Sequence, residues 1–467
     1  MVQRLSETIV NSNKKHIEIR RKLNIKEGDK IIIPKRFYKI VDDLMLKMVI
    51  YSCLGNMLLN NLYRIIVTFR ACNSIKTTSS IIFIKEVFMF KTGYPEKAGM
   101  SPERVKRYER LVENWVEEKH IQGLVYLVAR KGLIISYKAL GSLSPEEDSP
   151  NIEFDTIFPI SSISKPITAT CIMILVEEGI IDPYHPVSMY IPEFRGEGKQ
   201  SVRIFHLMTH TSGLRDEDIR SHNEKKKESA EIPQADSTQD SDLNEWLFLG
   251  YDAPLWKEPG AEMSYCGYGI ELLGEIIRRV SGKPLYRFAR EKIFEPLGMN
   301  DTDFIVPDSK IHRVIRRKPF EIGQEDWFSS IRSLKSPSAA GGVYSTAMDM
   351  AIFGQMFLNN GIYNGIRILS PICVAEMTKN HIPGISSRFG EEVFKEAVWD
   401  YCWNVHGEKK DFTGALHSSQ AFNHTGGGGT VLWIDPVYET VTSFFAVDNE
   451  QRYGLLFNNA VMASIVE

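Results

Sequence analysis

Cysteine is scarce: six in 467 residues, at positions 53, 72, 171, 266, 373 and 402, and no two form a Cys-x-x-Cys pair. That scatter argues against a zinc ribbon and a disulfide framework, and it suits a reducing, cytoplasmic setting. A dominant charge is also missing. Lys and Arg total 56 against 59 for Asp and Glu, a formal net charge of −3, so nucleic acid and anionic membrane surfaces are not expected partners. Met1 to Arg21 carries charges throughout and has no apolar core of a secretory signal. Met48 to Tyr63 is uncharged, but three asparagines interrupt it and it falls short of the ~20 residues a spanning helix needs, so no membrane span is expected. A Gly-x-Ser-x-Gly elbow is absent, which argues against an α/β-hydrolase. What remains is ordinary globular composition, 43% hydrophobic and 25% charged. The length has room for two or three domains, or for one large domain with insertions.

Residues 1–91 differ from the rest, being rich in Ile, Lys, Asn and Arg with little periodicity. Arg21 to Ile33 reads as a helical turn, a Gly-Asp turn and a strand, and resembles the swapped-hairpin module of AbrB-type regulators. The plainer alternative, an unrelated extension or a misplaced start, is preferred. From residue 92 the pattern is regular. Ser101-Pro102 marks a helix start, with a capping hydroxyl ahead of proline at the first helical position. Hairpins are expected at 124–128 with 133–137, and at 430–434 with 440–447. Helices are expected at 267–281, 284–295 and 347–360. Strands at both ends with helices between them imply one antiparallel sheet carrying a helical insertion, an α+β arrangement. Asp216 to Glu245, charged and poor in apolar residues, reads as a mobile surface loop.

Ser162-Ile163-Ser164-Lys165 follows a strand-like Phe158-Pro159-Ile160 and opens an apolar, helix-like run from Ile167 to Ile181. This places a serine hydroxyl at a helix N-terminus and an amine three residues on along the same face. A serine attacks a carbonyl only with a base beside it, and a lysine held neutral can be that base. The four-residue pattern also occurs at Ser12-Asn13-Lys14-Lys15, in a polar stretch with no helix after it, so context carries the assignment. His206 and His210 have the four-residue spacing of a metalloprotease pair, but Leu207 stands where that motif needs glutamate. No metal site is expected there.

Further segments occur in a fixed order after Ser162: His206-Leu-Met-Thr-His-Thr-Ser-Gly-Leu214, Tyr265 ahead of Leu272-Leu273-Gly274, Pro296 to Thr302, Ala340 to Thr346, and His424-Thr425-Gly426 before Leu432 to Pro436. With the Ser162 segment they resemble the class C β-lactamase-related serine hydrolases, a family of β-lactamases, esterases, D-aminopeptidases and penicillin-binding-protein relatives. The resemblance spans residues 92–467. It implies a β-lactamase/transpeptidase-like α/β fold, with an antiparallel sheet domain and a mainly helical subdomain. It implies Ser162 as acyl-accepting nucleophile, Lys165 as its base and Tyr265 as proton relay. His424, Thr425 and Gly426 take the place of the Lys-Thr-Gly wall, and the N–H groups of Ser162 and Gly427 would hold the oxyanion. No cofactor is implied, and the expected substrate is a small ester, amide or β-lactam.

Two departures bear on substrate. The family's Tyr-x-Asn is Tyr265-Cys266-Gly267 here, so a side-chain amide is missing; and His424 replaces a lysine, a weaker anchor for a substrate carboxylate if its pKa stays near the usual 6.5. Both lean toward esters or peptide-like amides, with β-lactam hydrolysis or a slow-turnover penicillin-binding sensor as the alternative. Oligomeric state is not legible.

Overall fold

The structure is a computed structural model that describes residues 66–67, 82–83, 89–228, 241–318, 330–389, 392–406, 415–447 and 452–467. The chain forms two units, 1–87 and 88–467. In the first, Ile66–Val67 and Ile82–Phe83 pair antiparallel. The segments 21–33 and 48–63, singled out above, lie outside the described residues.

The second unit is organised on a seven-stranded sheet. In spatial order its strands are Asn404–Val405, Phe422–Gly426, Thr430–Asp435, Thr440–Ala446, Gly123–Arg130, Leu133–Gly141 and Lys91–Thr92. The two expected hairpins are both present, and they join where Thr440–Ala446 pairs antiparallel with Gly123–Arg130. One edge departs from the all-antiparallel expectation: Lys91–Thr92 runs parallel to Leu133–Gly141. Gly123–Arg130 is buried along its whole length. Alternate side chains of a strand leave opposite faces, and here both faces are covered, so the run is continuously apolar. Val125, Leu127 and Ala129 enter the main core, whereas Leu124, Tyr126 and Val128 enter a second core.

The second core lies under two helices. Pro102–Glu117 is capped by the Ser101 hydroxyl, which accepts from Arg104 N–H, and it turns Val105, Tyr108, Val112 and Trp115 inward. Tyr453–Met462 packs beside it through Tyr453, Phe457 and Val461. Burying each of these large side chains contributes about 1.5–3 kcal/mol. On the main-core side lie Ser164–Glu177, Gly267–Ser281 and Ala347–Leu358.

Two expectations are corrected. The charged stretch 216–245 is not simply a loop: Asp216–Glu228 is helical, and a second helix begins at Ser241. Asp216, Glu217 and Asp218 occupy the first turn and Lys225, Lys226 and Lys227 the last, which complements the helix dipole; Ile219 supplies a buried anchor. The segment 284–295 is not one regular helix. It breaks into Leu285–Ala289, a π turn Arg290–Phe294, and Glu295–Leu297. Glu295 N–H reaches Arg290 O, five residues back, immediately before Pro296, which has no N–H to continue the α ladder. Among the described residues no helix is long and apolar enough to cross a membrane.

Candidate active site

The chain turns sharply at Ser161, whose φ of 47° is left-handed. Behind it Phe158–Pro159 pairs with Tyr344–Ser345, and ahead Ser161–Ile163 makes a 3-10 turn that runs into Ser164–Glu177. Ser162 therefore sits on the lip of a buried helix. Ser164 Oγ donates to Ser161 O (2.7 Å) and accepts from Val343 N–H (3.0 Å), while Thr168 Oγ1 donates to Ala339 O (2.8 Å). Lys165 is 3% exposed. Its Nζ donates to Ser162 Oγ at 2.9 Å and to Ala340 O at 2.8 Å, and lies 4.7 Å from the Tyr265 ring centre.

The Ala340 carbonyl is itself held in place. Glu271 is buried, and its carboxylate accepts from Ser338 Oγ (2.5 Å) and from the N–H groups of Ala339 and Ala340 (both 3.0 Å). Burial raises the Glu271 pKa, and these three bonds oppose the rise. The turn that presents Ala340 O to Lys165 is thus fixed from behind.

Tyr265 lies between the short strand Met263–Ser264 and the helix Gly267–Ser281. The N-terminus of that helix is satisfied by Asp216, whose carboxylate accepts from Gly267 N–H (2.8 Å), Tyr268 N–H (2.9 Å) and Cys266 Sγ (3.3 Å). This changes the meaning of Gly267. A Cβ there would lie 3.2 Å from Asp216 Oδ2 and 3.6 Å from Ala340 Cβ, so the place of the missing amide is crowded by a carboxylate.

His424 belongs to the strand Phe422–Gly426 and is 3% exposed. Its Nδ1 meets Thr425 O at 2.8 Å; a carbonyl only accepts, so Nδ1 carries the proton and Nε2 is left as a buried lone pair with no partner among the described residues. Burial, with the nearby Lys165 charge, pushes the imidazole pKa down to about 3. The expectation of a histidine titrating near neutrality is therefore corrected: His424 is neutral throughout the physiological range. Its ring lies 6.3 Å from that of Tyr265 and 5.9 Å from that of Trp399.

Thr425 is half-buried opposite Val431, and Gly426 pairs with Thr430 at the mouth of the turn. A Cβ on Gly426 would meet Ile160 O and Thr430 Oγ1, both at 2.2 Å, and a Cβ on Gly427 would meet Ser161 Oγ at 3.3 Å. The glycine turn thus lies against the residues that lead into Ser162. Gly426→Ala would force this backbone apart and is expected to cost about 1–3 kcal/mol, measured by urea unfolding; an unchanged midpoint would show that the turn has slack.

Ser162, Lys165, Tyr265 and His424 are linked to one another by these contacts, with Gly426 and Gly427 beside them. Several neighbours have no part in the sequence expectations: Glu271, Asp216 and Trp399. No local pattern marks Trp399. Glu271 and Asp216 lie one position before Leu272-Leu273 and two after Leu214, inside or beside segments already noted, but nothing in their spacing shows where the carboxylates point. His206 Nδ1 accepts from Arg203 N–H (3.0 Å) and its ring packs on Phe205. Among the described residues no group of three or more His, Cys, Asp or Glu is placed to hold a metal ion.

The beta-lactamase family model matches residues 108–455. A protein of Escherichia coli (strain K12) named as a D-alanyl-D-alanine carboxypeptidase is 26% identical over 380 residues, covering 73% of this chain and 82% of its own length. Among solved structures, a penicillin-binding protein homologue from Caulobacter crescentus superposes with a TM-score of 0.63 at 20% identity, covering 78% of this chain and 99% of that one. A family VIII carboxylesterase does so with a TM-score of 0.59 at 21% identity, covering 78% and 98%. At that identity the two superpositions speak for the fold. The family match covers well over half of the chain, which therefore belongs to the beta-lactamase family and is a serine hydrolase of the β-lactamase fold.

Proposed function

We propose that residues 92–467 hydrolyse neutral carboxylic esters or small peptide-like amides through an acyl-enzyme on Ser162. The observation that carries this reading is the 2.9 Å contact between Lys165 Nζ and Ser162 Oγ. In the first step Ser162 Oγ attacks the substrate carbonyl carbon and its proton passes to the Lys165–Tyr265 pair. The carbonyl oxygen becomes an oxyanion held by the N–H groups of Ser162 and Gly427. Collapse of the tetrahedral species breaks the bond to the leaving alcohol or amine, which takes a proton by way of Tyr265. Water then enters by the reverse sequence and releases the acid, regenerating the hydroxyl.

The substrate preference rests on His424. A neutral imidazole with its one proton committed to Thr425 O has neither a positive charge nor a free N–H with which to anchor a carboxylate. The test compares kcat/KM for a neutral p-nitrophenyl ester with that for nitrocefin and a peptide bearing a free carboxylate. The neutral ester is expected to be preferred, and the ratio is expected to stay flat from about pH 5.5 to 8, a window around the ordinary histidine pKa. A carboxylate substrate that gains tenfold at the acid end would mean a histidine charges in that window, and would remove this argument.

A further inference from the structure

His210 touches Tyr265 and both of its chain neighbours. It follows the short helix Ile204–Met208 and takes a left-handed φ of 58°, a conformation uncommon outside glycine. In that conformation its carbonyl accepts from Ser264 N–H (2.9 Å) and its ring Nδ1 accepts from Cys266 N–H (3.2 Å). A single residue therefore holds the backbone on either side of the tyrosine. The imidazole also packs on the Tyr265 ring, with centres 4.5 Å apart and planes tilted 37°, and on Trp399 at 5.5 Å.

We propose that His210 is a positioning residue that aims the Tyr265 hydroxyl at the Ser162–Lys165 pair, by holding the Ser264 and Cys266 amides and one face of the ring. This rests on the assignment of Tyr265 as the proton relay. The arrangement works only with a neutral imidazole, because a doubly protonated ring has no lone pair to accept the Cys266 N–H. The site secures that state: the ring is 2% exposed, and burial, reinforced by the charge of Lys165, holds its pKa well below the ordinary value. With Nδ1 accepting, the proton sits on Nε2, which is buried and has no partner among the described residues.

Asparagine and glutamine substitutions separate the two ring nitrogens. An asparagine here would place an acceptor near the Nδ1 position and tolerates a left-handed φ, whereas a glutamine would reach the Nε2 position and lose the bond to Cys266. On a neutral p-nitrophenyl ester, His210→Ala is expected to lower kcat about 30- to 100-fold with KM within about twofold, the signature of an interaction felt in the transition state. His210→Asn should recover to within about fivefold of the parent and exceed His210→Gln by at least about tenfold. Tyr265→Phe should cost about 100-fold or more, and adding His210→Ala to it should cost little further, since no hydroxyl remains to be aimed. If His210→Ala does not fold, the Asn and Gln variants decide alone. Full activity in Tyr265→Phe would sink the relay assignment and this inference with it. A costly Tyr265→Phe, combined with His210→Asn no better than His210→Gln or with a fully multiplicative double variant, overturns the positioning role alone.

Discussion

Replacing Ser162 with alanine is expected to lower ester turnover by about 10⁴-fold or more, with the fold intact. Removing a nucleophile forfeits the covalent path, and what survives is only binding and oxyanion stabilisation. Ser162 is half-buried on the 3-10 turn and the helix behind it is held by Ser164 and Thr168, so deletion of one hydroxyl should leave the melting temperature within a few degrees of the parent. Turnover within tenfold of the parent in this variant, measured with a p-nitrophenyl ester after removal of any contaminating esterase, would point to a different serine. Ser161 and Ser164 are the nearest alternatives, but Ser164 Oγ is committed to Ser161 O and Val343 N–H.

Lys165→Met should be nearly as severe. Methionine keeps the length of the stem and suits a position 3% exposed, but removes both the donor to Ser162 Oγ and the donor to Ala340 O. A positioned acid–base group typically contributes 10²–10⁴-fold, so a fall of about 10³-fold in kcat with KM nearly unchanged is expected. Stopped-flow measurement of the p-nitrophenol burst locates the loss: acylation should slow and the burst should disappear. A burst of undiminished rate would assign Lys165 to structure rather than to proton transfer.

Legibility in the sequence depends on whether a feature is local. The Ser101 cap followed by Pro102, the apolar strand runs bounded by turn residues and the helices at 267–281 and 347–358 are each marked by residues close together in the chain, and a window of a dozen residues exposes them. The C-terminal helix Tyr453–Met462 buries Gly454 and Asn458 along with Tyr453, Phe457, Val461 and Met462, and that mixed face does not stand out by pattern. Asp216–Glu228 reads as a loop because a helix stabilised by complementary end charges and one buried isoleucine carries little apolar periodicity. At the site, Ser162 and Lys165 stand three apart on one helical face, so their meeting follows from spacing. Glu271 meets Ala339 and Ala340 across some 68 residues of chain, and Trp399 meets His424 across the sheet edge, and no spacing rule reaches that far. Electrostatics are the least legible. His424 reads as an ordinary imidazole in the sequence because its burial and the charge of Lys165 exist only in three dimensions.

The central claim is that acyl transfer passes through Ser162, and mapping the trapped adduct tests it most directly. The protein is treated with a fluorophosphonate, or quenched in acid during turnover of a slow ester, then digested and sequenced by tandem mass spectrometry. The account predicts one adduct per chain, on the Ser162 oxygen, absent from Ser162→Ala and slowed in Lys165→Met. An adduct on Ser161, on Ser164 or on a residue outside this turn, or turnover with no adduct at any time, would contradict it.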